Sequence, residues 1–534
     1  MGLSVSLRKE SWQATSGVPG PAASVRCGGP AHPGKPHLLH CHPAGCRVAF
    51  QPMSPQVRQA LTALLAVVLA VWMGFEIADG ALGWPTLFTG IALAAMLSRL
   101  LALPLDVIVV GLVVAGYIVG NRGFAQQTPI PNLPLLPAEI ALGIATSWRL
   151  FVWGHQRRLP LGRTTLDWLV LAWIVAGGAR FVFDFPRHGF LAVRDFAMIY
   201  YAVFFIIVRQ MALAAPARRY LQRCLLFAVL VLPVSYGLSL LLPEFMQSIL
   251  ATRNAPLIFF KDDLAGTFFA LGSVWLFFNL QGRWRSAGLL LAAGYAAFVL
   301  GRDNRASATG LIVAAGLLLA AGRWRYPALL GTMMGLGLAV LLGLAAIGHN
   351  SWAQDRVQGL GDRLRSITDF SGGASYNSQE SRMKGDNNRF RLVWWQSVTE
   401  ETIQAGPVFG LGFGHDLAGS FVREYYPENI DEFTARSPHN IHLTVFGRMG
   451  AVGLLIWGSL CAVLLRRTWQ SLRRTEEPEA WAYWCGAWIL LTSATFGVVL
   501  EGPMGAVVFW TLLGLASAIE SRPAPPDDST VVAQ

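Results

Sequence analysis

Apolar runs separated by short polar breaks follow one another along nearly the whole chain after residue 55. Their lengths are close to the roughly 20 residues that a helix needs to cross a hydrocarbon core about 30 Å thick. No stretch alternates with the period of two expected of a membrane barrel, so the pattern predicts helices. We place spans at 58–77, 83–99, 104–120, 134–153, 165–179, 196–213, 221–242, 264–280, 286–301, 307–321, 326–346, 441–465, 480–500 and 504–520. The predicted fold class is all-α: a polytopic membrane protein with about 12–14 transmembrane helices. One long polar segment, 347–440, interrupts the series before its last few runs, and short helices are expected within it. The predicted layout is a disordered leader at 1–52, spans from 53 to 346, the long loop, the last helices at 441–520 and a disordered tail at 521–534.

The leader is rich in Pro, Gly, His and Cys without apolar periodicity, which predicts disorder, and it is too polar for a secretory signal. Met53 opens a more conventional start directly before a span, which makes it a second candidate first residue of the natural product. His37, His40, Cys41, His42 and Cys46 are metal-ligand types, but no second ligand pair accompanies them, and no metal site or cofactor is expected.

The composition, 54% hydrophobic and 14% charged, agrees with an integral membrane class, since a soluble domain is about a quarter charged. The net charge of +11 does not point to nucleic acid, because the basic residues are spread among short loops. They set orientation instead. With the amino terminus inside, the inner loops 155–163, 209–223, 282–285, 323–325 and 466–474 are all basic. The outer segments are then 76–83, 121–133, 180–194, 243–263, 302–305, 349–438 and 501–503. Both termini are expected in the cytoplasm and the long loop outside it. Arg180, Arg187, Arg194, Arg253, Arg302 and Arg305 fall on the outer side, where this bias does not explain them. The six cysteines are scattered and give no disulfide framework.

The long loop carries a Gly-rich start at 371–375. An amphipathic helical stretch then runs from about 388 to 404, followed by Gly410-Leu411-Gly412-Phe413-Gly414-His415. No strand precedes these glycines and no Lys-Ser follows, so a tight turn fits them better than a nucleotide site. The loop closes on Ser437-Pro438-His439-Asn440-Ile441-His442 at the edge of a span. An imidazole there suits a general base at neutral pH, and a helix cap or interfacial residue is the alternative reading. His442, three residues on, is a second candidate, and His415 a turn residue. Outer guanidinium groups at Arg194, Arg302, Arg305, Arg389 and Arg391 suit a phosphate or diphosphate, while each singly also fits an ion pair or a snorkelling side chain.

The segment His439-Asn440, nine residues to Met449, then Gly450-Ala451-Val452-Gly453 resembles the pattern of the O-antigen ligase and polymerase family. The Arg391-Leu392-Val393-Trp394-Trp395 run before Gly410–Gly414 is similar as well, and so is the single long loop ahead of the last spans. In that family an Arg is often followed four residues later by Leu. Here Trp395 follows Arg391 and Val393 follows Arg389, so both arginines stay open for the role. The resemblance implies an inverting, metal-independent glycosyl transfer on the periplasmic face of the bacterial inner membrane. The donor would be a glycan on undecaprenyl diphosphate and the acceptor lipid A-core or another lipid-linked glycan. His439 would take the acceptor's proton, and Arg194, Arg391 and Arg305 would hold the diphosphate, with Asn440, Arg389, His442 and Arg302 in support. A polymerase of O-antigen or exopolysaccharide is the nearest alternative. A flippase for lipid-linked sugars is the alternative of another class, although it would place ionisable groups deep within the spans.

Overall fold

The computed structural model describes residues 55–78, 83–128, 135–156, 164–252, 255–302, 304–346, 379–425, 435–474 and 477–521. The leader with its His and Cys cluster, the Gly-rich start of the loop and the tail beyond Ser521 lie outside the described residues. The chain divides into an amino-terminal unit, residues 1–66, in which only the first turns of α1 (Pro55–Ala78) are described, and a large unit, residues 67–534. All that follows concerns the large unit.

Each expected span falls on a helix. The series continues with α2 (Gly83–Leu101), α3 (Leu105–Ala125), α4 (Pro137–Gln156), α5 (Thr165–His188), α6 (Phe190–Tyr200), α7 (Val203–Leu213) and α8 (Ala215–Leu241). After the short α9 (Pro243–Ser248) come α10 (Asp262–Asn279), α11 (Arg285–Gly301), α12 (Arg305–Ala320) and α13 (Arg325–Ala346). The long loop supplies α14 (Gln379–Ala405) and α15 (Gly419–Tyr425), and the chain ends with α16 (Ile441–Arg474), α17 (Pro478–Thr495) and α18 (Pro503–Glu520). Among the described residues nine helices are long and apolar enough to cross a membrane, which makes this a multi-pass α-helical membrane protein. Helices α4, α10 and α17 fall short in apolar character and α12, with 16 residues, in length. Among the described residues β structure is confined to a two-stranded ribbon, β1 (Leu250–Thr252) against β2 (Ala255–Pro256), and one isolated bridge between Asn121 and Phe259.

The buried centre is α18, whose residues are almost all enclosed, packed on α3, α7 and α17. Helix α10 lies against α8, α11, α12 and α17. At the other extreme, α13 buries only Tyr326 and Leu330 and shows an apolar surface all round, as a lipid-facing helix does. The segment 180–194, expected as a loop, is helical: α5 runs on to His188, and Gly189 at φ 54° turns the chain into α6. The expected span 196–213 is interrupted at Tyr201 and Ala202 but continues as one candidate crossing, Phe190–Leu213.

The long loop is tied to α16 through four backbone hydrogen bonds. Gly450 adopts φ 61° inside α16, which opens the helical hydrogen-bond ladder there. The freed carbonyls of Gly447 and Arg448 accept from Leu411 N–H (2.7 Å) and Gly412 N–H (3.2 Å). The freed N–H groups of Ala451 and Val452 donate to the carbonyls of Pro407 (2.9 Å) and Val408 (3.1 Å). A Cβ on Gly450 would meet the backbone of Val408 and Gly410, and one on Gly410, itself at φ 74°, would meet the backbone of Arg448 and Met449. Both positions therefore combine a left-handed backbone with a contact that only glycine permits. Gly410→Ala and Gly450→Ala are each expected to destabilise the protein by more than about 1 kcal/mol. The effect should be read as a lower unfolding midpoint in detergent, and a wild-type midpoint for both would contradict this junction.

Candidate active site

Asn440 caps α16. Its Oδ1 accepts from the N–H groups of His442 (3.0 Å) and Leu443 (3.2 Å), satisfying donors that the first turn leaves open. Pro438 before it is fixed by Trp395, whose Nε1 donates to the Pro438 carbonyl at 2.7 Å. His439, held between them, takes φ 54°, a conformation rare outside glycine and costly for a side chain of its size. Its ring meets Trp394 edge to face with centroids 5.6 Å apart, and Trp394 is fully buried in the small core under α14 and α15. Neither ring nitrogen of His439 bonds to a described residue.

The other histidines differ in this respect. Trp457 Nε1 donates to His442 Nδ1 at 3.0 Å, so Nε2 carries the proton and faces Thr495 Oγ1 at 3.3 Å. His415 Nε2 bonds Glu401 at 2.8 Å, and this bond holds the Glu401 carboxyl below its usual range. Both rings are already committed to structure.

His439 lines a cavity of about 860 Å³. Five cations face it, Arg122, Arg194, Lys261, Arg436 and Arg448, against the carboxylates Glu139, Asp195 and Glu501, so an anionic ligand is favoured. Of the cations, Arg448 is only 2% exposed and spoken for: it pairs with Asp195 at 2.8 Å and bonds the carbonyls of Gly412 and His415. Arg436 bonds the Gly414 carbonyl at 2.8 Å, and Lys261 pairs with Asp263 at 3.0 Å. Arg194 and Arg122 form no ion pair with a described residue, which leaves two guanidinium groups at the cavity for a substrate.

Arg391 lies outside the lining, bonded to the Phe496 carbonyl at 3.1 Å, yet its charge reaches His439. Burial and the neighbouring charge of Arg305 hold the Arg391 guanidinium below its ordinary value. Arg302 is turned away to the Asp262 carboxylate at 3.1 Å and to the Tyr236 hydroxyl, and Arg389 is exposed on α14. The structure thus brings His439 and Arg194 to one cavity, lets the charge of Arg391 act on His439, sets Arg305 near Arg391, and gives Arg302 and His442 other partners.

Arg122, Lys261, Glu139 and Glu501 are cavity residues that the sequence reading does not single out. Arg122 and Lys261 arrive together. Asn121 kinks α3 at φ 52°, and its Oδ1 accepts from the N–H groups of Arg122 (2.9 Å) and Lys261 (3.0 Å). A basic residue in the expected outer segment 121–133 is the one signal that marks Arg122 in the sequence. His188 also lines the cavity, beside Gly414.

Burial, then the charges of Arg391 and Lys261, lower the affinity of His439 for a proton to a pKa of about 4, with Asp263 acting in the opposite sense. The ring is therefore neutral throughout the physiological range. Between about pH 4 and the ordinary value near 6.5 the unfolded chain takes up the proton first, so His439 costs stability as the pH falls through that window. In the unliganded protein, carbon NMR of labelled histidine, assigned by difference with His439→Asn, is expected to show a neutral ring at pH 5.5. A midpoint near 6.5 would contradict the burial and the cations placed around it.

Residues 289–458, roughly a third of the chain, match the family model described as O-antigen ligase. The match contains His439, Asn440, His442, Arg302, Arg305, Arg389 and Arg391, and so agrees with the family resemblance read from the His439 segment. Arg194, Arg122, Lys261 and Glu501 fall outside it. No curated protein matches the chain.

Proposed function

We propose that this chain, of which residues 289–458 match the O-antigen ligase family model, transfers a glycan from undecaprenyl diphosphate to a hydroxyl of lipid A-core. The reaction takes place on the periplasmic side of the inner membrane. Support for a single side comes from the cavity lining, which is drawn from segments that the charge bias assigns to the outer face and from the spans adjoining them, while none of the basic inner loops contributes.

The observation that carries the reading is an imidazole whose nitrogens bond no described residue, in a cavity that also holds two guanidinium groups without an ion pair among the described residues. The acceptor hydroxyl attacks the anomeric carbon from the side opposite the diphosphate. The new C–O bond forms as the C–O bond to phosphate breaks, which inverts the centre. The hydroxyl proton passes to His439, and the electron pair leaves with the diphosphate. Arg194 and Arg122 hold the departing anion, with Lys261 and the field of Arg391 and Arg305 adding stabilisation where charge develops. These groups supply the positive charge that a divalent metal would bring, and the reading is metal-independent.

A weak base in the empty protein becomes a stronger one in the complex. The charges of Arg391 and Lys261 that depress the ring are the ones a bound diphosphate offsets, so donor binding raises the proton affinity of His439. The strained backbone at His439 is then a cost kept for placing the ring.

Purified protein offered a lipid-diphosphate glycan and lipid A-core in the presence of a metal chelator is expected to form the linked product. His439→Asn, which tolerates the left-handed backbone but provides no base, is expected to lose about 10²-fold to 10⁴-fold in kcat. Arg194→Ala is expected to raise the KM for the donor. Near-normal turnover by His439→Asn would remove the base assignment. Product formed only with a second lipid-linked glycan as acceptor would replace the ligase by the polymerase.

A further inference from the structure

Glu501 stands at the short turn between α17 and α18, where it lines the same cavity as His439. Its Oε1 accepts from Ser437 Oγ at 2.7 Å and from Thr444 Oγ1 at 3.0 Å, one residue on each side of the His439 turn. Its Oε2 has no donor among the described residues. The other two cavity carboxylates are already satisfied or neutralised. Glu139 takes the hydroxyls of Tyr200 (2.6 Å) and Tyr201 (2.5 Å) on one oxygen and the Leu136 N–H (3.1 Å) on the other. Asp195 is neutralised by Arg448 and accepts the Gly414 N–H at 2.9 Å. Among the described residues, Glu501 alone of the three has neither an ion pair nor a donor for its second oxygen.

An unpaired carboxylate is a poor lining for the part of a cavity that receives a diphosphate, because like charges repel there. It suits a neutral ligand that is rich in O–H donors, since a carboxyl oxygen accepts such bonds. We infer that Glu501 is the acceptor-binding carboxylate of this site: Oε1 holds the His439 turn, and Oε2 accepts a hydrogen bond from a sugar hydroxyl of the incoming acceptor. The inference rests on the glycosyl-transfer reading above and divides the cavity into a cationic part for the donor and a carboxylate part for the acceptor sugar. An oxygen that faces the cavity and takes a hydroxyl also gives selectivity, because a sugar lacking that hydroxyl leaves it without that bond.

The test uses the full chain in nanodiscs, with two readouts for each protein. One is transfer kinetics with varied lipid A-core and varied lipid-diphosphate glycan; the other is direct binding of a fluorescently labelled core oligosaccharide. Glu501→Gln keeps an oxygen for Ser437 and Thr444 and replaces Oε2 by a donor. It is expected to raise the acceptor KM and weaken oligosaccharide binding by about 10-fold to 100-fold, with the donor KM within twofold. Ser437→Ala cuts only the brace and is expected to lower kcat while moving the acceptor KM less than threefold. Wild-type acceptor KM and binding in Glu501→Gln, or an equal rise of acceptor KM in Ser437→Ala, would overturn the inference. If the wild-type protein binds the oligosaccharide through Glu501 but transfers nothing, the transfer reading fails and the carboxylate assignment stands.

Discussion

The four backbone hydrogen bonds between 407–412 and the opened turn of α16 decide where everything else in the site can be. A helix interior has no spare N–H or C=O groups, so a loop can hydrogen-bond to it through backbone only where the ladder is broken. Gly450 breaks it, and Gly410 lets the incoming strand of loop come close enough to use the groups set free. The spacing from His439 through Gly450 to Gly453 acquires a physical meaning from this. The histidine sits at the start of α16, the break two to three turns below it, and the loop that carries Trp394 is fastened at the break.

Charge then completes what the backbone begins. The Gly412 and His415 carbonyls and Asp195 surround the guanidinium of Arg448, and the N–H groups of Phe413 and Gly414 find Asp184 (2.7 Å) and Asp195 (2.9 Å) on α5 and α6. A buried cation with a paired carboxylate and two carbonyls is satisfied, whereas removal of one partner would leave a charge stranded. The same bookkeeping separates structural from available groups around the cavity. Arg448, Arg302 and His442 have polar partners, while the side chains of Arg194, Arg122 and His439 make no ion pair or hydrogen bond with a described residue. What a site does is carried by groups the fold leaves unfinished.

Much of the frame was legible from hydrophobic pattern alone, because a lipid-facing or core-facing helix must be apolar over a length fixed by the membrane. The His439 segment was legible too, since a cap residue, a left-handed break and a close glycine contact each demand a particular residue at a particular distance. The run 180–194 was not. Its Arg180 and Asp184 read as loop polarity, yet they pair at 3.0 Å along one helix face, and Asp184 answers an N–H group 229 residues away. Arg122, Lys261 and Glu501 were equally hidden. Their arrival depends on a kink at Asn121 and on a Ser437 hydroxyl reaching across from the loop, and neither leaves a periodic trace in the chain. Pattern gives the elements, and long-range polar satisfaction gives the site.

The central claim is spatial: the diphosphate of the donor occupies the cavity between Arg194 and His439. A structure determined with undecaprenyl diphosphate bound tests it directly. The expected result is both phosphates in this cavity, with oxygen atoms within hydrogen-bond distance of Arg194 and the His439 ring facing the space beside them. Phosphates lodged instead at the opposite end of the helices, beside the basic segment 466–474, would contradict the account.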